Sequence, residues 1–408
     1  MARSGRLAQS AERVVVVSMR PLRVAVTGAG IGGLAAAAAL SSRGIEVEVY
    51  EQAPALREVG AGLHLGSNGT RLLQRMGLAA QLREMAAQPA AMEVRNWKDG
   101  RVLARQPMGA SWAAEFGAPY YTVHRADLHE MLASQVPPER LHLGWKLAGF
   151  TEYGEAVRLQ FADRPTCDAD VLVGADGIHS VVRATVAPGG DPVFSGNSAF
   201  RALVPARLLP ESAANTILLW AGPDARLLCY PVRAGQMVTF VAVITDPNWT
   251  IESWSTHADV ADLATVFTGW EPAVQHIVSA VTQAGRWALY DREPLKRWST
   301  RRVTLLGDAA HPMLPHHGQG ANQAIEDAVA LAVCLAEVPA VTVGAALRRY
   351  EATRRPHATR VQLGSRGNGS LRMSSGDSGR PGAVQSMVED SSWIQRYDVE
   401  RDLASLAS

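Results

Sequence analysis

The stretch Gly28-Ala-Gly-Ile-Gly-Gly33 constrains this chain more than any other. It follows LRVAVT (22–27), a short run rich in β-branched residues that reads as a buried parallel strand. Leu34 to Ser42 then has the small-residue composition of a tightly packed helix, Gly44 ends it, and IEVEVY (45–50) makes a second strand. A strand, a glycine turn, a helix and a strand within about 30 residues form the βαβ unit that opens a dinucleotide-binding fold. Gly28 supplies the tight turn, Gly30 the close approach of backbone to a pyrophosphate, and Gly33 the helix–strand contact. The helix N-terminus beyond them offers unpaired N–H groups and partial positive charge to phosphates. Glu51 lies 23 residues past Gly28 at the end of the second strand, where a carboxylate accepts from ribose hydroxyls. This motif alone does not separate NAD from FAD.

Composition removes several other classes. The chain has 408 residues with 40 Lys+Arg against 39 Asp+Glu, a length that suggests two to three domains and needs no disulfide or metal to hold its core. The charge balance argues against a nucleic-acid footprint. Cys167, Cys229 and Cys334 are odd in number and far apart, which fits a reducing, cytoplasmic setting rather than a disulfide framework or zinc ribbon. Val14 to Val17 and Ala35 to Leu40 are too short for a signal-peptide core or a membrane span. Residues 1–20 read as a disordered extension.

Farther along, VHRADLHEMLAS (123–134) reads as an amphipathic helix, and Asp170 to Val173 as a strand leading into Gly174-Ala-Asp-Gly-Ile-His-Ser180. Residues 194–290 are β-rich (216–220, 227–232, 237–244), with helical stretches near 260–267 and 273–281. Arg302 to Leu306 is again a buried strand, followed by Gly307-Asp308 and a long helix over 319–337. The division expected is a discontinuous α/β cofactor domain (21–193 and 290–363) carrying a β-rich substrate domain (194–289). Gly364 to Gly382 is Gly/Ser-rich and polar and reads as a mobile loop, and 388–403 has helix-like apolar spacing, so 364–408 is taken as a flexible loop and C-terminal segment.

With GxGxxG, GADGIHS (174–180) and GDAAHP (307–312) in that order, the chain resembles the single-component FAD-dependent aromatic hydroxylases related to p-hydroxybenzoate hydroxylase. The likeness continues through VGAGLHLGSNGTRLLQRMGL (59–78), YYTVHRADLHEML (120–132), LLGDAAHPMLPHHGQGANQAIEDAVALA (305–332) and SSWIQRYD (391–398). Within the family it looks most like the branch of salicylate hydroxylase, 3-hydroxybenzoate 6-hydroxylase and 6-hydroxynicotinate 3-monooxygenase, the last being nearest in look.

The resemblance implies a Rossmann-type FAD-binding domain with an inserted β-rich substrate domain. It implies that NADH or NADPH reduces the flavin, that O2 adds at C4a, and that the hydroperoxide passes one oxygen to a small phenolic or hydroxypyridine carboxylic acid. Loss of CO2 accompanies the step where the carboxylate is ipso to the attack. By the same resemblance, Asp308 would bind ribityl hydroxyls, Arg125 would lie over the cofactor, and Asp176 would organise FAD and influence its reaction with the nicotinamide. Gly320, Ala321 and Asn322 would place backbone N–H groups beside the flavin N1–C2=O edge.

The catalytic candidates are His64 in GAGLHLG, Tyr230 in LLCYPV and His316 in PHHGQG. Oxygen transfer to a phenol is faster once its hydroxyl is deprotonated, and histidine titrates in the range that suits this. Tyr230 would hydrogen-bond the substrate hydroxyl or carboxylate, and Arg201 or Arg226 could receive the carboxylate. His311 and His317 are taken as structural, His311 as packed and His317 as solvent-facing. Their spacing with His316 in a Pro/Gly loop, without a nearby carboxylate, does not make a metal site.

The alternative of the same fold is a flavin oxidase or an FAD-binding redox partner. A flavin halogenase is disfavoured because Trp249 and Trp254 do not form its WxWxIP signature. No nucleic-acid or membrane partner is expected, and the protein is read as a monomer or homodimer.

Overall fold

The computed structural model describes residues 20–56, 62–209, 215–251, 257–368 and 391–405. The expected N-terminal extension, apart from Arg20, lies outside these residues, as does most of the expected mobile loop.

The βαβ unit forms as its residue pattern requires. Strand β1 (Arg23–Thr27) sits in the middle of a five-stranded parallel sheet of order β18-β11-β1-β2-β7, with β2 at Glu46–Glu51, β7 at Leu141–Leu143, β11 at Val171–Gly174 and β18 at Val303–Leu305. Val24 pairs with Val171 and Leu172 with Val303, so the strands leading into the three glycine motifs are neighbours running the same way. The turns after β1, β11 and β18 therefore emerge at one carboxyl edge of the sheet. In open α/β sheets that edge is where ligands bind.

Helix Ile31–Ser41 is buried along almost its whole length, from Leu34 to Leu40. It packs closely against helix Gly320–Leu335 because Gly32 has no side chain; a Cβ there would stand 2.8 Å from Leu306 Cδ2 and 3.2 Å from Ala324 Cβ. A sheet of three strands, β8 (Leu147–Tyr153), β9 (Ala156–Phe161) and β10 (Arg164–Ala169), lies between β7 and β11 in sequence.

The second large sheet has eight strands in the order β16-β17-β12-β15-β14-β13-β4-β5. The expected β-rich runs supply β13 (Thr216–Ala221), β14 (Ala225–Val232) and β15 (Met237–Thr245), and the sheet also takes β12 (Val193–Pro205), β16 (His257–Ala258) and β17 (Ala284–Asp291), which were not among those runs. Strands β4 (Ala91–Asn96) and β5 (Val102–Pro107) join them, so the sheet draws on chain well before residue 194. Parallel pairing of β13 with β4 is what recruits this hairpin, a long-range pairing without a local signal.

Trp220, Phe240, Phe267 and Trp270 form a separate core between this sheet and helices Val260–Val266 and Pro272–Ser279. Leu227 and Cys229 point into that core, so alternation along β14 turns Arg226, Leu228 and Tyr230 to the other face. A two-stranded ladder of β3 (Gly62–Leu65) and β6 (Tyr121–His124) completes the fold, with His64 opposite Thr122.

Residues 364–368 correct the mobile-loop expectation. They continue helix Val343–Asn368. Ser365 is fully buried, and Arg366 pairs with Asp291 at 2.6 Å and Glu293 at 2.8 Å. These tertiary contacts override the low helix propensity of the glycines. After residue 390 the chain is helical at 391–396 and again at Val399–Ser405. It is tied back to the body by Arg75, which pairs with Asp398 at 2.7 Å and Glu400 at 2.9 Å. No helix among the described residues is long and apolar enough to cross a membrane.

Candidate active site

Three glycine-motif turns enclose a cleft of about 360 Å³. Gly28 has φ +97°, and a Cβ on it would lie 2.3 Å from the Ala175 carbonyl oxygen; a Cβ on Gly33 would lie 1.9 Å from that of Gly28. These two glycines are required by backbone packing. Gly30 differs: nothing stands within 4 Å of its Cβ position, and it lines the cleft. The helices starting at Ile31 and Gly320 both have N-termini without a side-chain cap or an acid in the first turn. Gly30, Gly320 and Ala321 line the same cleft, so two positive helix ends meet there.

Asp308 and Arg125 also line it. The Asp308 side chain is open to the cleft, whose walls strip it of water and raise its pKa, while His311 and Arg125 oppose that rise. An approachable backbone, unpaired N–H groups and a carboxylate acceptor are the features an adenine dinucleotide flavin needs, so the residues fit FAD.

Three other expected cofactor-binding residues also have their side chains engaged within the fold. Glu51 accepts the backbone N–H groups of Ala29 and Ala53, both at 2.8 Å, and clamps the glycine turn. Asp176 accepts from Ser180 Oγ at 2.5 Å and Val181 N at 2.8 Å, holding the start of helix Val181–Val186, while its neighbours Ala175 and Gly177 line the cleft. The Asn322 amide accepts from Gly66 N at 3.0 Å and donates to the carbonyl of His64 at 2.9 Å. His129, which the sequence did not single out, bonds the Ala29 carbonyl through Nε2 at 2.6 Å.

A second, more apolar cavity of about 190 Å³ adjoins the cleft, walled by Met92, Met108, Trp112 and Leu219 among others. His64, Leu228, Val241, Gly318 and Gln319 belong to both spaces. His64 thus stands at their junction. Its Nδ1 is 2.9 Å from the Tyr120 hydroxyl, its ring is 4.2 Å from that of Tyr230, and its Nε2 has no hydrogen-bond partner among the described residues. Burial lowers the His64 pKa to about 4, so the imidazole is neutral at neutral pH.

Tyr230 is 2% exposed and lines the cofactor cleft beside Arg201. Gly62 admits its ring, since a Cβ there would be 2.4 Å from Tyr230 Cε2. Burial pushes the Tyr230 phenol upward, with Arg201 opposing, so it stays protonated. His316 lies in the apolar cavity, 3.0 Å from Arg226 through Nδ1. Burial, then the charge of Arg226, lowers its pKa to about 3. The structure therefore brings His64 and Tyr230 into ring contact and pairs His316 with Arg226.

His311 is buried and bonds Asp327 at 2.5 Å. His317 lines the apolar cavity, which corrects the solvent-facing expectation. The loop 315–317 makes a turn of 3-10 helix that carries both neighbouring histidines inward. Sequence reading also missed Tyr120, Trp112, Ile394 and Gln395 as cavity walls. SSWIQRYD was the available signal for the last two, and Gln395 accepts Ser67 N at 2.8 Å.

Beneath the cleft, helix Gly320–Leu335 carries a buried polar network. Asp327 accepts from Gly307 N at 3.0 Å and Arg354 Nε at 2.8 Å. Burial alone would raise its pKa, but His311 and Arg354 outweigh burial and hold it at about 2. Glu326 is raised to about 7 by burial despite Arg354, and accepts from Asn68 at 2.6 Å. Asn68 also donates to Gln319 at 3.0 Å, linking this network to the floor shared by both spaces.

The family model described as FAD binding domain matches residues 21–364. A 3-amino-4-hydroxybenzoate 2-monooxygenase of Streptomyces platensis is 44% identical over 354 residues, covering 86% of this chain and 89% of that protein. A 6-hydroxynicotinate 3-monooxygenase of Pseudomonas fluorescens is 37% identical over 383 residues, covering 92% and 95%. Among solved structures, a salicylate hydroxylase substrate complex superposes with TM-score 0.82 at 31% identity, covering 94% of this chain and 97% of that one.

Proposed function

This chain belongs to the FAD binding domain family and is an FAD-dependent aromatic monooxygenase, and from that premise we propose that it hydroxylates a small aromatic acid bearing a ring hydroxyl. The observation that carries this is His64, which stands where the cofactor cleft and the apolar cavity meet, with Nε2 unpartnered. An apolar cavity of about 150 Å³ holds one benzene ring, so 190 Å³ accommodates one substituted ring. The relatives act on 3-amino-4-hydroxybenzoate and 6-hydroxynicotinate, both six-membered rings with a hydroxyl and a carboxylate.

FAD, reduced by NADH or NADPH, supplies the oxygen-activating chemistry when bound. Gly28, Gly30 and Gly33 shape the pyrophosphate turn, Asp308 accepts sugar hydroxyls, Arg125 neutralises phosphate charge, and Gly320 and Ala321 present backbone N–H groups. Glu51, Asp176 and Asn322 position these elements through the contacts described above. Neutral His64 accepts the proton of the ring hydroxyl at Nε2 while Nδ1 donates to Tyr120. The resulting phenolate is richer in electrons at the neighbouring carbons. Protonated Tyr230 donates a hydrogen bond toward the substrate oxygen. The apolar walls keep water from the reacting atoms.

The same proposal includes a cofactor domain formed by 21–193 and 290–363, a substrate domain at 194–289 whose sheet borrows β4 and β5, and a cytoplasmic monomer or homodimer. The unpaired state of all three cysteines supports the cytoplasmic setting.

The test uses FAD-loaded protein, NADH and NADPH, and a panel of 3-amino-4-hydroxybenzoate, 6-hydroxynicotinate, 3-hydroxybenzoate and salicylate. Accelerated NAD(P)H oxidation with a product heavier by one oxygen supports the reading. Equal oxidation with and without every aromatic would favour the oxidase alternative.

A further inference from the structure

Glu326 is fully buried on helix Gly320–Leu335, and no step of the proposed reaction involves it. Its two oxygens face different partners. Oε2 stands 2.6 Å from Arg354 Nη1. Oε1 accepts from Asn68 Nδ2 at 2.6 Å and from Gln323 Nε2 at 3.2 Å. Gln323 is itself held, because its Oε1 accepts from Arg354 at 2.8 Å. Asn68 Nδ2 also donates to Gln319 Oε1 at 3.0 Å, and Gln319 lines both the cofactor cleft and the apolar cavity. The buried carboxyl group thus reaches the junction of the two spaces through Asn68.

Elementary donor and acceptor chemistry fixes these amides. An ionised carboxylate only accepts, so Asn68 must turn its amide nitrogen to Glu326. Its Oδ1 is then idle, buried and without a hydrogen-bond partner among the described residues. The same nitrogen meets Gln319 at its oxygen, which turns the Gln319 amide nitrogen the other way, toward the spaces it lines. A proton on Glu326 reverses each choice. Arg354 offers only donors to Oε2, so the proton goes to Oε1. There it becomes a donor, and the Asn68 amide turns over to bring its idle Oδ1 to it. Oδ1 would then face Gln319 Oε1, acceptor against acceptor, so Gln319 turns over as well.

The surrounding charges leave Glu326 poised to titrate. On its own helix, Asp327 is ionised because His311 and Arg354 outweigh its burial. Helix Val343–Asn368 contributes Arg354 and His357, whose Nε2 is 3.5 Å from Oε2. Burial, then the charge of Arg354, lowers the His357 pKa to about 2, so it is neutral. Helix Ser67–Leu73 contributes Arg71, which feels the charge of Glu326. The C-terminal stretch contributes Tyr397, stacked on His357 at 3.6 Å and kept protonated by burial. One buried cation therefore serves two buried acids. Burial, aided by Asp327, lifts Glu326 to about 7 against Arg354 and Asn68.

We propose that Glu326 is a positioning residue for the reaction: through Asn68, its charge decides whether Gln319 turns N–H donors or a carbonyl oxygen toward the junction of the cofactor cleft and the apolar cavity. This rests on the aromatic-hydroxylase reading. Ring oxygens of a flavin and of an aromatic acid are acceptors, so the ionised form of Glu326 is the one that supports turnover.

The experiment measures kcat/KM of FAD-loaded protein from pH 6 to pH 8, with the most active of 3-amino-4-hydroxybenzoate, 6-hydroxynicotinate, 3-hydroxybenzoate and salicylate. Glu326→Gln matches the protonated acid in shape and does not titrate; its oxygen faces Arg354 and its nitrogen Asn68. One lost hydrogen bond is worth up to about tenfold. Glu326→Gln should therefore be about tenfold below wild type at pH 8 and close to it at pH 6. Titration of the substrate itself cancels in that ratio. Glu326→Asp, which keeps an acid, should keep the pH dependence, and Asn68→Ala should lose it with Glu326 intact. A ratio of wild type to Glu326→Gln that stays constant with pH overturns the proposal, since a merely structural role gives that result. If Glu326→Gln does not fold, Asn68→Ala decides alone, and the full wild-type pH dependence in it overturns the proposal. Wild-type protein whose NAD(P)H oxidation responds to none of the four acids overturns the functional reading itself, and this inference with it.

Discussion

His64 Nδ1 lies 2.9 Å from the hydroxyl of Tyr120, and that one contact decides which imidazole nitrogen faces the reaction space with a proton. If Nδ1 donates to Tyr120, Nε2 is left as a base; if Tyr120 donates, Nε2 carries the hydrogen. General-base catalysis is worth about 10²–10⁴-fold. His64→Asn should lower hydroxylated product by about 10²-fold while NAD(P)H oxidation persists and oxygen is diverted to hydrogen peroxide. Tyr120→Phe should do the same more mildly. An oxygen electrode with and without catalase reads the diversion, and full coupling in His64→Asn would remove this residue from the mechanism.

Asp308 is the one carboxylate among the described cleft-lining residues, and the proposed function gives it the hydroxyl groups of the cofactor to accept. Hydrogen bonds to a charged group contribute about 1.5–3 kcal/mol. Asp308→Ala should therefore weaken FAD binding roughly ten- to a hundred-fold. The ratio of flavin to protein absorbance after gel filtration checks this; an unchanged ratio excludes the assignment.

Gly33→Ala should be the most damaging single-methyl change in the glycine turn. The added Cβ would meet backbone at 1.9 Å, and neither the helix nor the strand end can yield without moving β1. Overpacking typically costs about 1–3 kcal/mol. Gly30→Ala, by contrast, should fold normally, because its Cβ faces open cleft, yet bind FAD less well. Thermal unfolding of the apoproteins separates the two effects.

Acid lability follows from the buried histidines. His316 stays neutral in the folded chain down to about pH 3, whereas an unfolded histidine takes up its proton near 6.5. Between those values the unfolded state binds more protons, so the stability is complete above 6.5 and falls as pH drops toward 3. His316→Asn removes this dependence. The difference in Tm between wild type and variant should shift in favour of the variant from pH 7.5 to pH 4.5; a constant difference would show that His316 is not held neutral.

Arg71 fastens the C-terminal wall of the apolar cavity. It donates to the Tyr397 carbonyl at 2.8 Å, to the Gln395 carbonyl at 3.3 Å and to the Phe116 carbonyl. Arg71→Ala should leave FAD content intact, raise KM for the aromatic several-fold and make the chain around 391–405 more sensitive to protease. Unchanged cleavage and KM would mean that this segment is held by other contacts.

Much of the fold was legible because local backbone rules encode it. A glycine at φ +97°, a β-branched run and a small-residue helix each impose their conformation within a few residues, and so the βαβ unit, the strands β13 to β15 and the Gly320–Leu335 helix lie where the sequence placed them. The presence of all three glycine motifs likewise pointed to FAD, as the family match shows. The side-chain roles of Glu51, Asp176 and Asn322 were less legible. Glu51 and Asp176 also accept from neighbouring backbone, and the side-chain amide of Asn322, whose expected part was its backbone N–H, accepts from Gly66 N.

The sequence by itself determined the dinucleotide-type sheet, the flavin chemistry and the set of candidate histidines and tyrosines. Only the tertiary structure decided that Arg226 rather than Arg201 enters the apolar cavity, that β4 and β5 extend the larger sheet, and that Gln395 and Tyr120 wall the site. The physical reason is distance along the chain. Asn322 reaches the carbonyl of His64 across 258 residues, and Ser67 reaches Gln395 across 328. Contacts of that span depend on how whole sheets and helices pack, which turn chemistry and residue periodicity do not specify.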